Sequence, residues 1–520
     1  MKHLKKIVSL LLTAVMVLAM CIPVMADAAK TYNITAPNTT HQYEIYQIFT
    51  GELSGTTISN VKWGKNGKGG AEGTLVDETI INELTKVNSS SDIEKLKVIE
   101  NYVNLTDPVD TITSGDTYKA PEGYYLIKDK KGSVTGDDAY TTYIVKVAQD
   151  TTITPKSAKP KIDKQVKDEN TDAEKNAVDG WGETADHAIN ESFQFKLTAT
   201  LPNESDLDDY EHYYLEFEDV LGKGVTFEQI DSVIVHGIKD SAAQDFNATY
   251  VLSENAKNGL KGPDAKWTLS IMDLKAYIDD LKNAKVTVIY SAHLNEEAEV
   301  INTSTDSTDN NQNKAKLIYS NNPNATGDGT KKPSDTGNTE YDYVFVLTYE
   351  ADNTKYKDEV KDGNQLKDAG FRLYSDKACT QEVLLKKVGD AYYPIKANET
   401  ATAVEMKSAQ DGTFNIKGLD AGTYYLRETS TPTGYNTVKD MKIEIGAVHS
   451  ENTTGVTAKV ELTKKLDGND YTINNVVNKS GSQLPETGGI GTTIFYVVGV
   501  ILMLGAGVLL VTKKRMSSNR

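Results

Sequence analysis

The chain has 520 residues, 38% of them hydrophobic, with 74 acidic against 56 basic groups and a formal net charge of −18. Such a surface repels nucleic acid and anionic lipid, so neither is expected as a partner, and the length provides for around three domains. Cys21 falls in a leader and Cys379 stands alone after it; with no disulfide in the mature chain and no His cluster, HExxH or CxxC spacing, neither a metal site, a cofactor nor a thiol enzyme is expected.

At the N-terminus Lys2, Lys5 and Lys6 precede an apolar stretch from Ile7 to Ile22. Val24-Met25-Ala26 or Ala26-Asp27-Ala28 supplies a small-residue cleavage site, so residues 1–26 read as a secretory signal peptide. Removing these three lysines and the four cations of the C-terminal tail leaves an excess of 25 acidic groups on the exported part. A first domain, 27–157, opens on the alternation Tyr43-Glu44-Ile45-Tyr46-Gln47-Ile48-Phe49, with short helices expected near Glu78 to Leu84 and Ile93 to Tyr102. Thr154-Pro155-Lys156-Ser157-Ala158-Lys159-Pro160 is a linker to a second domain, 158–335. That domain carries the alternation Ser192-Phe193-Gln194-Phe195-Lys196-Leu197, a third short helix near Met272 to Leu281, and a polar stretch, 303–314, expected as an exposed loop. Pro323 and the run Gly327 to Gly337 set off a third domain, 336–480, with Thr413-Phe414-Asn415-Ile416 as one strand. After a brief linker come Leu484-Pro485-Glu486-Thr487-Gly488, an apolar run over 490–511 long enough to cross a bilayer, and a basic tail, 512–520. The fold class expected is all-β: tandem immunoglobulin-like β-sandwiches with minor helical insertions, bracketed by a signal peptide and a transmembrane helix.

In the second domain three strands each put one awkward residue on an apolar face. Ile162, Lys164 and Val166 share a face by period two, as do Tyr213, Leu215, Phe217 and Asp219, and as do Ala315, Leu317, Tyr319 and Asn321. A Lys, an Asp and an Asn are thereby aimed inward, where unpaired charge costs several kcal/mol. Burial favours a neutral amine beside a protonated carboxyl, the makings of an intramolecular isopeptide bond: the acid polarises the Asn carbonyl and shuttles protons while ammonia departs. Alternation alone leaves open a buried Lys–Asp salt bridge with Asn as a hydrogen-bond partner.

Pentapeptide, apolar span and terminal cations, in that order, resemble the cell-wall sorting signal of Gram-positive bacteria, which implies cleavage by sortase between Thr487 and Gly488. Residues 27–520 resemble a major backbone pilin of the SpaA type, whose domains are similar to the collagen-adhesin folds. Glu218-Asp219-Val220-Leu221-Gly222-Lys223-Gly224 is similar to that family's acid-bearing strand, and Leu317-Ile318-Tyr319-Ser320-Asn321-Asn322-Pro323 to its Asn strand, with Asn322 as the rival to Asn321. Gly422-Thr423-Tyr424-Tyr425-Leu426-Arg427-Glu428-Thr429-Ser430-Thr431-Pro432 resembles its E-box, which makes Glu428 a second promoting acid, Asn478 its acceptor and Lys355 its donor, with Lys357 as the alternative. The first domain has a similar Pro-x-Gly-Tyr turn at Pro121 to Tyr124 but no Glu after it, so no bond is expected there. By the same resemblance Lys156, in Thr154-Pro155-Lys156-Ser157, is the polymerising nucleophile, with Lys159 or Lys161 as rivals. The function implied is that of a structural pilus subunit, not an enzyme. Its implied partners are a class C sortase, a housekeeping sortase, other copies of itself, accessory tip and base pilins, and peptidoglycan. The alternative is a wall-anchored monomeric adhesin of the same domain type.

Overall fold

The computed structural model describes residues 30–517 except 56, 91, 135–139, 155–158, 169–177, 310, 397–399 and 483–489. The expected signal peptide, Lys156 and the 484–488 pentapeptide lie outside the described residues. Strands dominate, and they assort into three β-sandwich units in chain order.

In the first unit Tyr43–Ser54 is the spine of a sheet with Thr57–Trp63, Gly123–Asp129 and Thr142–Val147, and a second sheet joins Thr31–Thr35 to Thr117–Pro121 and Thr151–Thr152. Helices Glu78–Lys86 and Asp92–Ile99 pack over one end, bringing Leu84, Leu96 and Ile99 onto Trp63 and Tyr124. Asp77 caps the first of them by accepting the Thr79 N–H at 2.8 Å. The third expected helix does not form. Met272 to Leu281 yields one 3-10 turn, Leu274–Ala276, and then the long strand Asp280–Leu294, because Leu274, Ile278 and Leu281 reach the core from a turn and a strand start just as well as from a helix.

The second unit stacks two sheets. One runs Trp181–Gly182, Lys161–Lys167, Ser192–Thr200, Asp280–Leu294, Val225–Lys239 and Ala242–Asn247 in spatial order. Along Ser192–Thr200 burial alternates, so Phe193, Phe195, Leu197 and Ala199 face inward, as period two requires. The facing sheet centres on Leu215–Val220, flanked by Gln312–Ser320 and Lys266–Ile271. This central strand is buried on both faces. Its outward Glu216 and Glu218 are covered by Lys332 at 3.0 Å and by the Tyr341 hydroxyl at 2.8 Å.

Two expectations about boundaries meet a different arrangement. Thr336–Asn338 and Asp342–Leu347, assigned to the third domain from the Gly and Pro cluster before them, hydrogen-bond to Gln312–Ser320 and complete the second unit's sheet; Val344 and Val346 sit in its core. The polar stretch 303–314 is not simply a loop either. Thr305–Thr308 adds to the edge strand Ala458–Leu466 of the third unit, and Gln312 already belongs to the following strand.

The third unit pairs the sheet of Ala458–Leu466, Met441–Glu451, Gly422–Ser430 and Gly370–Tyr374 with a smaller one of Tyr349–Ala351, Ile416–Leu419, Ala391–Pro394 and Leu385–Val388. A separate parallel pair, Asn353–Lys357 with Asn474–Asn478, closes one side. Beyond it the helix Ile490–Ser517 is exposed and apolar, with mean hydropathy 2.7 over Ile494–Met516. At about 1.5 Å per residue it is long enough to span a bilayer.

Candidate functional site

In the third unit the strand pair Asn353–Lys357 and Asn474–Asn478 brings Lys355 and Asn478 together. Asn474 Nδ2 donates to Asn353 Oδ1 at 2.9 Å, which pins the parallel register and sets Lys355 beside Val476 and one pleat from Asn478. Gly412, at φ +80°, lies against the Lys355 backbone and accepts its N–H at 2.8 Å; a Cβ there would come within 2.5 Å of the Lys355 carbonyl oxygen. The Lys355 ammonium meets the Asn478 side-chain carbonyl. Asn478 Nδ2 donates to Glu428 Oε1 at 2.8 Å, and Lys355 Nζ lies 3.6 Å from the same oxygen. All three side chains are buried, and the Phe371 ring, stacked on Phe414 at 4.3 Å, walls the amine from water. Burial pulls the Lys355 pKa down to about 8 against the opposing pull of Glu428. Lys357 stands half-buried at the strand end and does not share this contact.

The second unit repeats the arrangement with a different acceptor. Lys164 is fully buried on Lys161–Lys167, and its backbone N–H is held by Asp342 Oδ2 at 2.6 Å. Its Nζ lies 2.5 Å from Asp219 Oδ2 and 3.2 Å from the Tyr290 hydroxyl, which itself donates to Asp219 Oδ2 at 3.0 Å. Phe195 and Tyr290 stand over the amine at 4.8 and 5.3 Å. Burial lowers the Lys164 pKa and raises that of Asp219, both against their mutual attraction.

The structure does not bring Asn321 to this pair. Asp219 is opposite Ala315, so Asn321 lies six residues further along, about 20 Å away at some 3.3 Å per residue; its backbone carbonyl accepts from Tyr140 N–H of the first unit at 2.7 Å. Asn322 turns to Asp335, at 3.0 Å. The residue that does reach the site is Asn313, fully buried, with Nδ2 donating to the Tyr290 hydroxyl at 2.7 Å and its amide close enough to steady the Asp219 carboxylate. Asn313 has the parity of Asn321, eight residues upstream on the same face. Gly222 lets the strands close here, since a Cβ on it would lie 2.2 Å from the Gln312 carbonyl oxygen. Asp219 Oδ1 and Asn313 Oδ1 are buried acceptors with no donor among the described residues. A proton on Asp219, which burial favours, supplies one.

Chemically, each cluster holds a desolvated amine, a carboxyl and a primary amide. The amine can attack the amide carbon, the carboxyl can hydrogen-bond the carbonyl oxygen and carry the proton across, and ammonia leaves.

Residues 352–466 match the family described as the SpaA prealbumin-like fold domain, and residues 476–518 match the LPXTG cell wall anchor motif. The chain carries a prealbumin-like domain and a cell wall anchor. Lys355 and Glu428 thus lie within the prealbumin-like domain, and Asn478 lies at the start of the anchor match. The trypsin-resistant surface T6 protein of Streptococcus pyogenes serotype M6 is 26% identical over 342 residues, covering 57% of this chain and 60% of that relative's length. Among solved structures, the T6 backbone pilin of the same serotype aligns at 17% identity over 88% of this chain and 100% of its own, with a TM-score of 0.46. The major pilin SpaD of Corynebacterium diphtheriae aligns at 16% identity over 88% and 99%, with a TM-score of 0.44. The anchor makes this a wall-attached surface protein, and the apolar helix within that match is the transient membrane anchor.

Proposed function

We propose that this chain is the repeating backbone subunit of a covalently assembled surface pilus, a structural protein and sortase substrate. The observation that carries the reading is the joining of a cell wall anchor to two buried Lys, acid and Asn clusters in one exported chain; the 26% identity to a streptococcal surface protein agrees with it. Each cluster forms an amide, Lys355 to Asn478 under Glu428 and Lys164 to Asn313 under Asp219, with loss of one ammonia and no outside reagent. A class C sortase cleaves after Thr487, holds its acyl group and delivers it to Lys156 of the next copy. The joint is head to tail and open-ended, so the polymer grows until a housekeeping sortase transfers the base to peptidoglycan. Tip and base pilins complete the fibre.

The test is an immunoblot of wall extract boiled in detergent. A high-mass ladder is expected from the native chain, and Lys156→Ala should collapse it to a wall-attached monomer, since folding does not depend on a linker ammonium. A monomer from the native chain would favour the adhesin reading, and a full ladder from Lys156→Ala would move the nucleophile to another lysine such as Lys161.

A further inference from the structure

Asp168, Asp186 and His449 converge on one buried spot where the second unit meets the third. Asp168 follows the strand Lys161–Lys167, Asp186 ends Thr184–Asp186, and His449 lies on Met441–Glu451 of the prealbumin-like domain. Each offers one ligand atom, and the three atoms lie within 4.8 Å of one another.

His449 Nε2 is 3.8 Å from Asp168 Oδ2 and 3.8 Å from Asp186 Oδ2, beyond hydrogen-bond reach, and it has no hydrogen-bond partner among the described residues. The other ring nitrogen, Nδ1, is 2.7 Å from the Thr184 hydroxyl across the domain boundary. With Nδ1–H donating to that oxygen, the ring orientation is fixed and Nε2 turns a bare lone pair toward both carboxylates. This is the outer-shell arrangement by which proteins aim a ligating imidazole. Asp168 Oδ2 in turn accepts the Asp186 N–H at 3.2 Å, which fixes that carboxylate.

The nearest point equidistant from three atoms spaced 3.8, 3.8 and at most 4.8 Å lies no more than about 2.5 Å from each. Bonds from nitrogen and oxygen to a zinc-sized ion are about 2.0 to 2.2 Å. One imidazole with two carboxylates suits zinc better than calcium, which takes six or more oxygens. Two carboxylates also suit a dication by charge. We propose that Asp168, Asp186 and His449 bind one divalent cation of the zinc class, and that the ion clamps the second domain to the third.

The proposal is tested on the whole chain, purified without an affinity tag in detergent, stripped with chelator and titrated with zinc chloride by calorimetry, with bound metal counted by plasma mass spectrometry. One zinc per chain is expected, with a rise in melting midpoint on loading. His449→Ala and the near-isosteric Asp168→Asn should each weaken binding by more than roughly 100-fold, beyond the 10- to 100-fold typical of an outer-shell loss; His236→Ala, at a half-buried His on Val225–Lys239 outside the cluster, should not. Circular dichroism checks that the variants remain folded, and the Asp168→Asn result stands if His449→Ala does not fold. No zinc uptake by the native chain, or uptake that survives in a folded His449→Ala or Asp168→Asn chain, overturns the site.

Discussion

Burial sets the charge states of Lys164 and Lys355 before any partner is considered. Both amines are driven toward the neutral, nucleophilic form and Asp219 toward the protonated form by desolvation, with attraction between the partners opposing it. Intact mass reads the outcome directly. The native chain should weigh two ammonia molecules less than its sequence, and Asp219→Ala or Glu428→Ala should each restore one. Asn313→Ala should restore one as well, whereas Asn321→Ala should restore none; the opposite result for these two asparagines would reverse the acceptor assignment. A second prediction follows from the depressed pKa of Lys355. In an Asn478→Ala chain the amine cannot be consumed, so it titrates near pH 8 when folded and near 10.4 when unfolded. Between those values the unfolded state binds more protons, so stability should rise with pH from about 8 to 10.4; below 8 the penalty of the buried ammonium is fully present and adds no pH dependence. The native chain, with Lys355 tied up in an amide, should lack that rise. Parallel urea titrations across this pH range would check it, and identical slopes in the two chains would argue that Lys355 is free in both.

At the level of strands, side-chain parity was legible and register was not. Period two correctly put Lys164, Asp219 and the face of Gln312–Ser320 inward, because the residues around them alternate plainly. Which Asn on that face stands by Asp219 depends on which residue lies opposite Asp219, a long-range fact that no local pattern holds. The Pro and Gly cluster at 323–337 misled for a related reason: it marks a loop inside the second unit, whose last strand, Asp342–Leu347, returns to the sheet afterward. The metal-binding candidates were invisible because Thr184 and His449, which meet there, stand 265 residues apart. The third-unit cluster was readable only through family resemblance, since Asn353–Lys357 pairs in parallel with a strand at the far end of the domain. The strand Asp342–Leu347 yields its own prediction. A fragment of residues 159–347 should fold and lose one ammonia, while 159–335 forgoes the burial of Val344 and Val346 and the Asp342 hydrogen bond to Lys164. Two buried Val side chains are worth about 3 kcal/mol or more, so the shorter fragment should be less stable by at least that much in urea. Equal midpoints and slopes would return the strand to the third domain.

For the molecule as a whole, the proposed bonds close loops of more than a hundred residues, the Lys355 to Asn478 loop spanning 123. In the chain-entropy model used for disulfides each is worth on the order of 5 kcal/mol. That is how a long exported chain with one buried cysteine and no disulfide among the described residues would resist unfolding outside the cell. Between the second and third units the contacts among the described residues are non-covalent, including the added strand Thr305–Thr308 and the contact of Thr184 with His449. In the proposed fibre, covalent continuity runs through the units and from Thr487 of one copy to Lys156 of the next. The measurement that tests this most directly is tandem mass spectrometry of protease-digested wall material. The account predicts a branched peptide in which the Thr487 carboxyl is amide-linked to Lys156 Nζ. Digests of the native chain in which Thr487 is joined only to peptidoglycan, with Lys156 unmodified throughout, would contradict it.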